Sequence, residues 1–275
     1  MKRVRLPLII LVTYAHSYGA IQKGYSLLTS GWDTYEVLKL LVSQTLVKVA
    51  VPAFFVMSGY LFFSNIETFT KEVFWQKIRR RVKTLLMPYI VWNIMMAVKL
   101  KTFSLDMFVT PANMPLWFLR DLMIVTLLTP IIYIVIKKLG WWVVAILAPI
   151  YLTGIFAIQP GPNPYAICFF TIGAVLSIKR LDLVETCMRY SMLAFAASVI
   201  LAVAMIVSYG TEWYMILMLW FRVTSVVGLF GLMGRRAHLG QTHVWGEASY
   251  FVYLSHYVLF FGFMVAIGFF CRKYS

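Results

Sequence analysis

Residues 37–63 read VLKLLVSQTLVKVAVPAFFVMSGYLFF, a run of 27 residues with two lysines, Lys39 and Lys48, and no acid. A helix needs about 20 predominantly apolar residues to cross the hydrocarbon of a bilayer, so this stretch predicts a transmembrane helix. Pro52 has no N–H and so frees a backbone carbonyl in mid-helix, which predicts a kink. Ser58-Gly59 offers a small-residue face against which another backbone or a ligand can come close. Lys48 is the unexplained cation of the run: it snorkels, pairs with a carbonyl, or serves a function.

The rest of the chain has the same character. Of 275 residues, 61% are hydrophobic, 17% aromatic and only 13% charged. A soluble domain has about 25% charged residues, so a water-soluble or disordered chain is excluded and an all-α polytopic bundle is expected. Apolar runs between charged and Pro/Gly breaks predict nine spans, at 6–21, 37–63, 84–100, 115–136, 141–158, 165–178, 190–209, 213–233 and 249–270. They are expected to form one integral-membrane domain over 1–275, with no soluble domain expected on either side.

The net charge of +15 follows from topology and gives no sign of a nucleic-acid partner. Sixteen of the 25 Lys and Arg fall in the N-terminus and every second loop, and five in the opposite loops and C-terminus. Cytoplasmic loops accumulate such residues, so the N-terminus is predicted to be cytoplasmic. The basic start followed by an apolar stretch also imitates a signal peptide, but His16 interrupts it. Cys168, Cys187 and Cys271 form no CxxC pair, and His238 and His243 have no register for a ligand set, so no metal is expected.

A charge in mid-membrane costs about 2.5 to 3.5 kcal/mol on insertion scales, which makes each one a candidate site residue. Arg5 and His16 are eleven positions apart, within about 20° of three full turns and about 16 Å along one helix face. A long ligand held through anionic groups at Arg5 would extend its reactive end to His16. The bland alternatives are a topology signal for Arg5 and an interhelical hydrogen bond for His16. Arg79-Arg80-Arg81, with Lys77 and Lys83, is the densest cationic run and suits either phosphates or anionic lipid. Arg120 and Asp121 beside Trp117 pair with each other or serve the site. Arg222 has no acid at i±3 or i±4 in its own helix. His256 shares a face with Tyr253 and Ser249, where packing is the simpler role. Gly228, Gly231 and Gly234, spaced by three, predict a close-packed helix face rather than a phosphate loop.

Arg5, ten residues and His16, followed by VPAFFVMSGY at 51–60, resemble the acyltransferase-3 family of membrane-bound O-acyltransferases. So do the Arg79–Arg81 run leading to Pro88-Tyr89, Trp117-Phe118-Leu119, and the segment from Ser249 to His256. The resemblance covers essentially the whole chain and implies transfer of an acyl group, usually acetyl, from cytosolic acyl-CoA to a hydroxyl of an envelope sugar or polysaccharide. It implies a bacterial cytoplasmic membrane, with no bound cofactor beyond the acyl-CoA donor and with membrane lipid as surroundings. His16 matches the family's catalytic imidazole, as base or nucleophile, and Arg5 the residue supporting CoA binding. On the chemistry, Lys48 or Arg120 stabilises developing negative charge and Ser58 hydrogen-bonds the acyl carbonyl. Arg79 and Arg81 join Arg5 as candidates for acyl-CoA, and Trp117, Arg120, Arg222 and His256 as weaker candidates for substrate. Nine spans are one fewer than the family's usual ten, so a shortened silent relative is one alternative. A transporter of an anionic or sugar-like substrate is the other, although no second-half counterpart of the Lys48-to-Gly59 element is present.

Overall fold

The computed structural model describes residues 8–10, 12–13, 26–153 and 164–235, and among them it is helical with no strand. The first described long helix, α1 (Thr34–Phe63), is capped by Asp33, whose carboxylate accepts from the N–H groups of Tyr35 and Glu36 at 2.9 and 3.2 Å. Lys39 is matched one turn along by Glu36 at 2.9 Å, so the first lysine of the span enters the apolar phase already neutralised. The α-helical pattern then breaks, with a π turn at Leu40–Thr45 and a 3-10 turn at Leu46–Val49 before regular helix resumes at Ala50. Pro52 accounts for the site of the break, since it has no N–H to offer the Lys48 carbonyl one turn upstream. The expected irregularity is therefore spread over the two turns before the proline. Tyr214 supports this stretch by donating its hydroxyl to the Gln44 carbonyl at 3.0 Å.

A short loop leads to α2 (Lys71–Arg81), which runs through a π turn into α3 (Met87–Leu100). Next come α4 (Trp117–Leu127) and α5 (Thr129–Leu139), bent 59° from one another. A single span was expected at 115–136, and the structure corrects this to a bent pair. Pro130 cannot donate to the Thr126 carbonyl, and the Thr129 hydroxyl donates to that carbonyl instead at 2.6 Å. The remaining helices are α6 (Trp142–Thr153), α7 (Pro164–Ile178), α8 (Leu183–Val207) and α9 (Trp213–Arg235).

Among the described residues, α1, α8 and α9 are long and apolar enough to cross a membrane, and the bent pair α4/α5 makes a fourth if counted as one span. Three other expected spans coincide with α3, α6 and α7, of which α6 ends and α7 begins at the edge of the described residues. Nearly all of the first expected span and the whole ninth lie outside the described residues, so the count of nine is not established. The outer face of α8 beyond Arg189 and Tyr190 is apolar: Leu193 is 74% exposed, Ile200 69% and Val203 57%. Such a surface is at home against lipid.

Glycines fix the two closest helix pairs. A Cβ on Gly59 of α1 would overlap the Phe170 carbonyl of α7, and a Cβ on Gly173 of α7 would overlap the Val56 carbonyl of α1. The Ser58-Gly59 face is thus a reciprocal crossing in which each glycine admits the other helix's backbone. On α9, a Cβ at Gly231 would come within 2.6 Å of the Cys187 carbonyl of α8, as the glycine spacing predicts. Arg235 closes that pair by donating to the Ser191 hydroxyl at 2.7 Å and to the Met188 carbonyl at 3.2 Å.

Candidate active site

The break in α1 borders a cavity of about 290 Å³, with Ser43, Gln44, Lys48 and Pro52 along one wall. Trp117 and Phe118 at the start of α4, Tyr165 at the start of α7, Arg222 of α9, and Val12 complete it. Four polar or amphipathic side chains, Lys48, Trp117, Tyr165 and Arg222, are therefore brought together from four helices separated by up to 174 positions in the chain.

Each of these has a physical anchor. The Arg222 guanidinium lies 5.0 Å from the centroid of the Tyr165 ring, a cation-π contact. Nearby, Tyr151 donates its hydroxyl to the Leu219 carbonyl of α9 at 3.1 Å, three residues before Arg222. The Tyr165 ring meets Trp117 edge-on at 5.9 Å and Phe55 at 6.0 Å. Phe55 in turn packs on Phe118 at 4.8 Å, so the aromatic lining is held from behind by α1. Lys48 and Arg222 are close enough to repel one another, and among the described residues neither forms an ion pair with a carboxylate.

The other candidates fall elsewhere. Ser58 stands ten residues after Lys48, roughly 15 Å along the helix at 1.5 Å per residue, beside the Gly59 crossing and not on the cavity. Arg120 pairs with the fully buried Asp121, Nε and Nη2 lying 2.9 and 2.8 Å from Oδ1, and also donates to the Val109 carbonyl. It belongs to a clamp on residues 101–116. Tyr89 donates to the Phe108 carbonyl at 2.8 Å in the same clamp, while Asn93 holds the Met107 carbonyl and accepts from the Asn113 N–H. Because the segment it holds delivers Pro115 and Trp117 to the cavity, Tyr89→Phe is expected to lower stability by about 0.5–1.5 kcal/mol, one net hydrogen bond. Thermal unfolding in detergent checks this, and an unchanged midpoint would mean the bond contributes nothing.

The cationic run is distributed around α2 instead of forming one patch. Arg79 faces outward with Lys71 and Trp75, the latter 57% exposed. Lys77 and Arg80 border a cleft of about 530 Å³ against residues 64–68. Arg81 and Lys77 sit 5.1 and 5.3 Å from the Phe62 ring, and Lys77 donates to the Phe62 carbonyl. Burial draws the Arg81 guanidinium down to about 10, so it stays charged at neutral pH. Burial, with Arg81 and Arg80 nearby, also lowers Lys77 from its ordinary value. Arg79 and Arg81, grouped on sequence grounds, thus occupy different faces. Arg5, His16 and His256 lie outside the described residues.

Sequence reasoning passed over Tyr151, Tyr165 and Asn93 as site residues. A tyrosine or asparagine inside an apolar run is the available signal, since its polar tip needs a partner once buried.

A helical membrane fold with an aromatic, doubly cationic cavity between its helices describes a class of membrane enzyme or carrier. Comparison with known proteins decides between them: the family described as Acyltransferase domain matches residues 3–270, and the chain belongs to that family. It is an acyltransferase. The chain is also 26% identical over 265 residues to the succinoglycan biosynthesis protein ExoH of Rhizobium meliloti (strain 1021), covering 81% of this chain and 68% of that protein. No solved structure matches it significantly.

Proposed function

We propose that the protein moves an acyl group, acetyl in the simplest case, from acyl-CoA to a hydroxyl of an envelope polysaccharide or its precursor. The observation that carries this reading is the convergence of Lys48, Trp117, Tyr165 and Arg222 on one cavity that Val12 also lines. Val12 precedes His16 by four residues in the sequence. The polysaccharide acceptor draws support from the name of the Rhizobium relative. The charge asymmetry of the loops supports a cytoplasmic N-terminus, in a bacterial cytoplasmic membrane.

In this reaction an imidazole nitrogen of His16 takes the proton of the acceptor hydroxyl, and the hydroxyl oxygen attacks the thioester carbonyl. The intermediate's oxyanion is stabilised by the Lys48 ammonium in a site poor in water. The C–S bond then breaks, the thiolate recovers the proton from the imidazolium, and an O-acyl ester and free CoA result. Trp117 and Tyr165 supply flat faces of the kind that pack on sugar rings. The CoA phosphates are assigned to the Lys77, Arg80 and Arg81 side of α2, and Arg79 with Trp75 to the lipid surface.

The test is acyl-CoA binding and hydrolysis by the purified full chain in detergent. Wild type is expected to bind acetyl-CoA and hydrolyse it slowly, and a folded protein that does neither would end this reading. Neutralising Arg80 and Arg81 together is expected to raise the acyl-CoA KM about tenfold, the loss of one charge-assisted hydrogen bond or more. An unchanged KM would assign these cations to anionic lipid instead.

A further inference from the structure

The cavity contains one more positive charge than neutral acyl transfer uses. The tetrahedral intermediate carries a single negative charge, which Lys48 offsets, while an acetyl thioester and a neutral sugar bring none before reaction. Arg222 lines the same cavity, repels Lys48, and has no carboxylate partner among the described residues. Asp121, which acts electrostatically on the neighbouring Tyr165, is held by Arg120. Arg222, without a carboxylate partner among the described residues, in a cavity walled by Trp117, Phe118 and Pro52 favours an anionic guest.

The CoA phosphates do not meet this need if they bind where the dense cationic cluster lies. Lys77 and Arg81 contact Phe62, fourteen positions beyond Lys48 and about 20 Å along α1. A pantetheine arm bridges such a gap, so only the acyl end of the donor, or the acceptor, reaches the cavity. Arg222 is also set up for a planar partner. The Tyr165 ring holds its guanidinium in place, and its fork of N–H donors matches the two oxygens of a carboxylate.

We propose that Arg222, with Lys48 beside it, recognises a carboxylate carried by one of the two reactants, so that either the transferred acyl group is a dicarboxylic one or the acceptor sugar is acidic. This rests on the acyl-transfer reading for its role in catalysis, but the binding site itself is testable without it. The 290 Å³ volume suits a group of four to six carbons better than an extended chain.

Direct binding comes first, on the full chain in detergent, with succinate against its neutral diamide and glucuronate against glucose. At least one acid is expected to bind about tenfold or more tightly than its neutral counterpart. Arg222→Met is expected to abolish the preference and Arg222→Lys to keep part of it, which also guards against a misfolded variant. Turnover then separates the two sources. A dicarboxylic acyl group predicts that succinyl-CoA exceeds acetyl-CoA in kcat/KM by about tenfold in wild type but not in Arg222→Met. An acidic acceptor predicts the same reversal between a glucuronide and a glucoside with acetyl-CoA as donor. Equal binding of acids and neutral analogues, or a preference that survives in Arg222→Met, overturns the proposal. Selective carboxylate binding by a protein with no acyl-CoA turnover would uphold it while overturning the acyl-transfer reading.

Discussion

His16→Ala is expected to lower acyl transfer by about 10²- to 10⁴-fold while acyl-CoA still binds, the range typical of losing a positioned general base. The chain has four histidines, and His238 and His243 fall in a connection between expected spans. That leaves His16 and His256 as the imidazoles placed in apolar segments, and His16 comes four residues after Val12, which lines the cavity. Among the described side chains at the cavity, Lys48 and Arg222 are both cations, and the Tyr165 ring is occupied as the platform for Arg222. Arg222 cannot accept a proton from a sugar hydroxyl and Lys48 is assigned to the oxyanion, which makes the imidazole hard to replace. The measurement is single-turnover transfer beside equilibrium acyl-CoA binding, with His256→Ala as the comparison. Full turnover by a folded His16→Ala protein would remove the base from this site, and a loss only in His256→Ala would move it to the last span.

Most of the helical architecture is legible in the sequence because length and apolar composition are local properties. Residues 37–63, 190–209 and 213–233 predict helices that the structure contains as α1, α8 and α9. The bend at Leu128 was also available in principle, since Pro130 withholds its N–H, but an unbroken apolar run conceals it. The site was half legible. Lys48 and Arg222 stand out through the cost of a charge in a span, whereas nothing in the chain near either one shows that 174 positions of sequence fold back to place them on one cavity. The tyrosine that holds Arg222, Tyr165, is hidden for a related reason: an aromatic at a helix start reads as an interface anchor until its partner is known. Arg79 and Arg81 show what spacing hides: two positions on a helix differ by about 200°, so neighbours in sequence come to border different surfaces.

Gly59→Ala and Gly173→Ala are each expected to destabilise the protein by about 1–3 kcal/mol or more, because the added methyl meets a helix backbone and not a movable side chain. The two carbonyls concerned, of Phe170 and Val56, belong to regular helix on both sides, so relief requires moving α1 away from α7. Since both substitutions strain one crossing, their effects should not add: once the first has separated the helices, the second has less left to displace. Gly228→Ala is the control. Its methyl would approach the Phe195 nitrogen of α8 no closer than 3.3 Å, which a shift of a few tenths of an ångström accommodates. The crossing also bears on function, because Lys48 lies eleven residues from Gly59 on α1 and Tyr165 eight residues from Gly173 on α7. These distances are about 16 and 12 Å, short enough for a tilt at the crossing to widen the gap between two walls of the cavity. Thermal midpoints should therefore fall for Gly59→Ala and Gly173→Ala but hardly for Gly228→Ala, and acyl-CoA turnover per folded molecule should fall with them. A Gly173→Ala protein as stable and active as wild type would show that this close approach is not what sets the α1–α7 geometry.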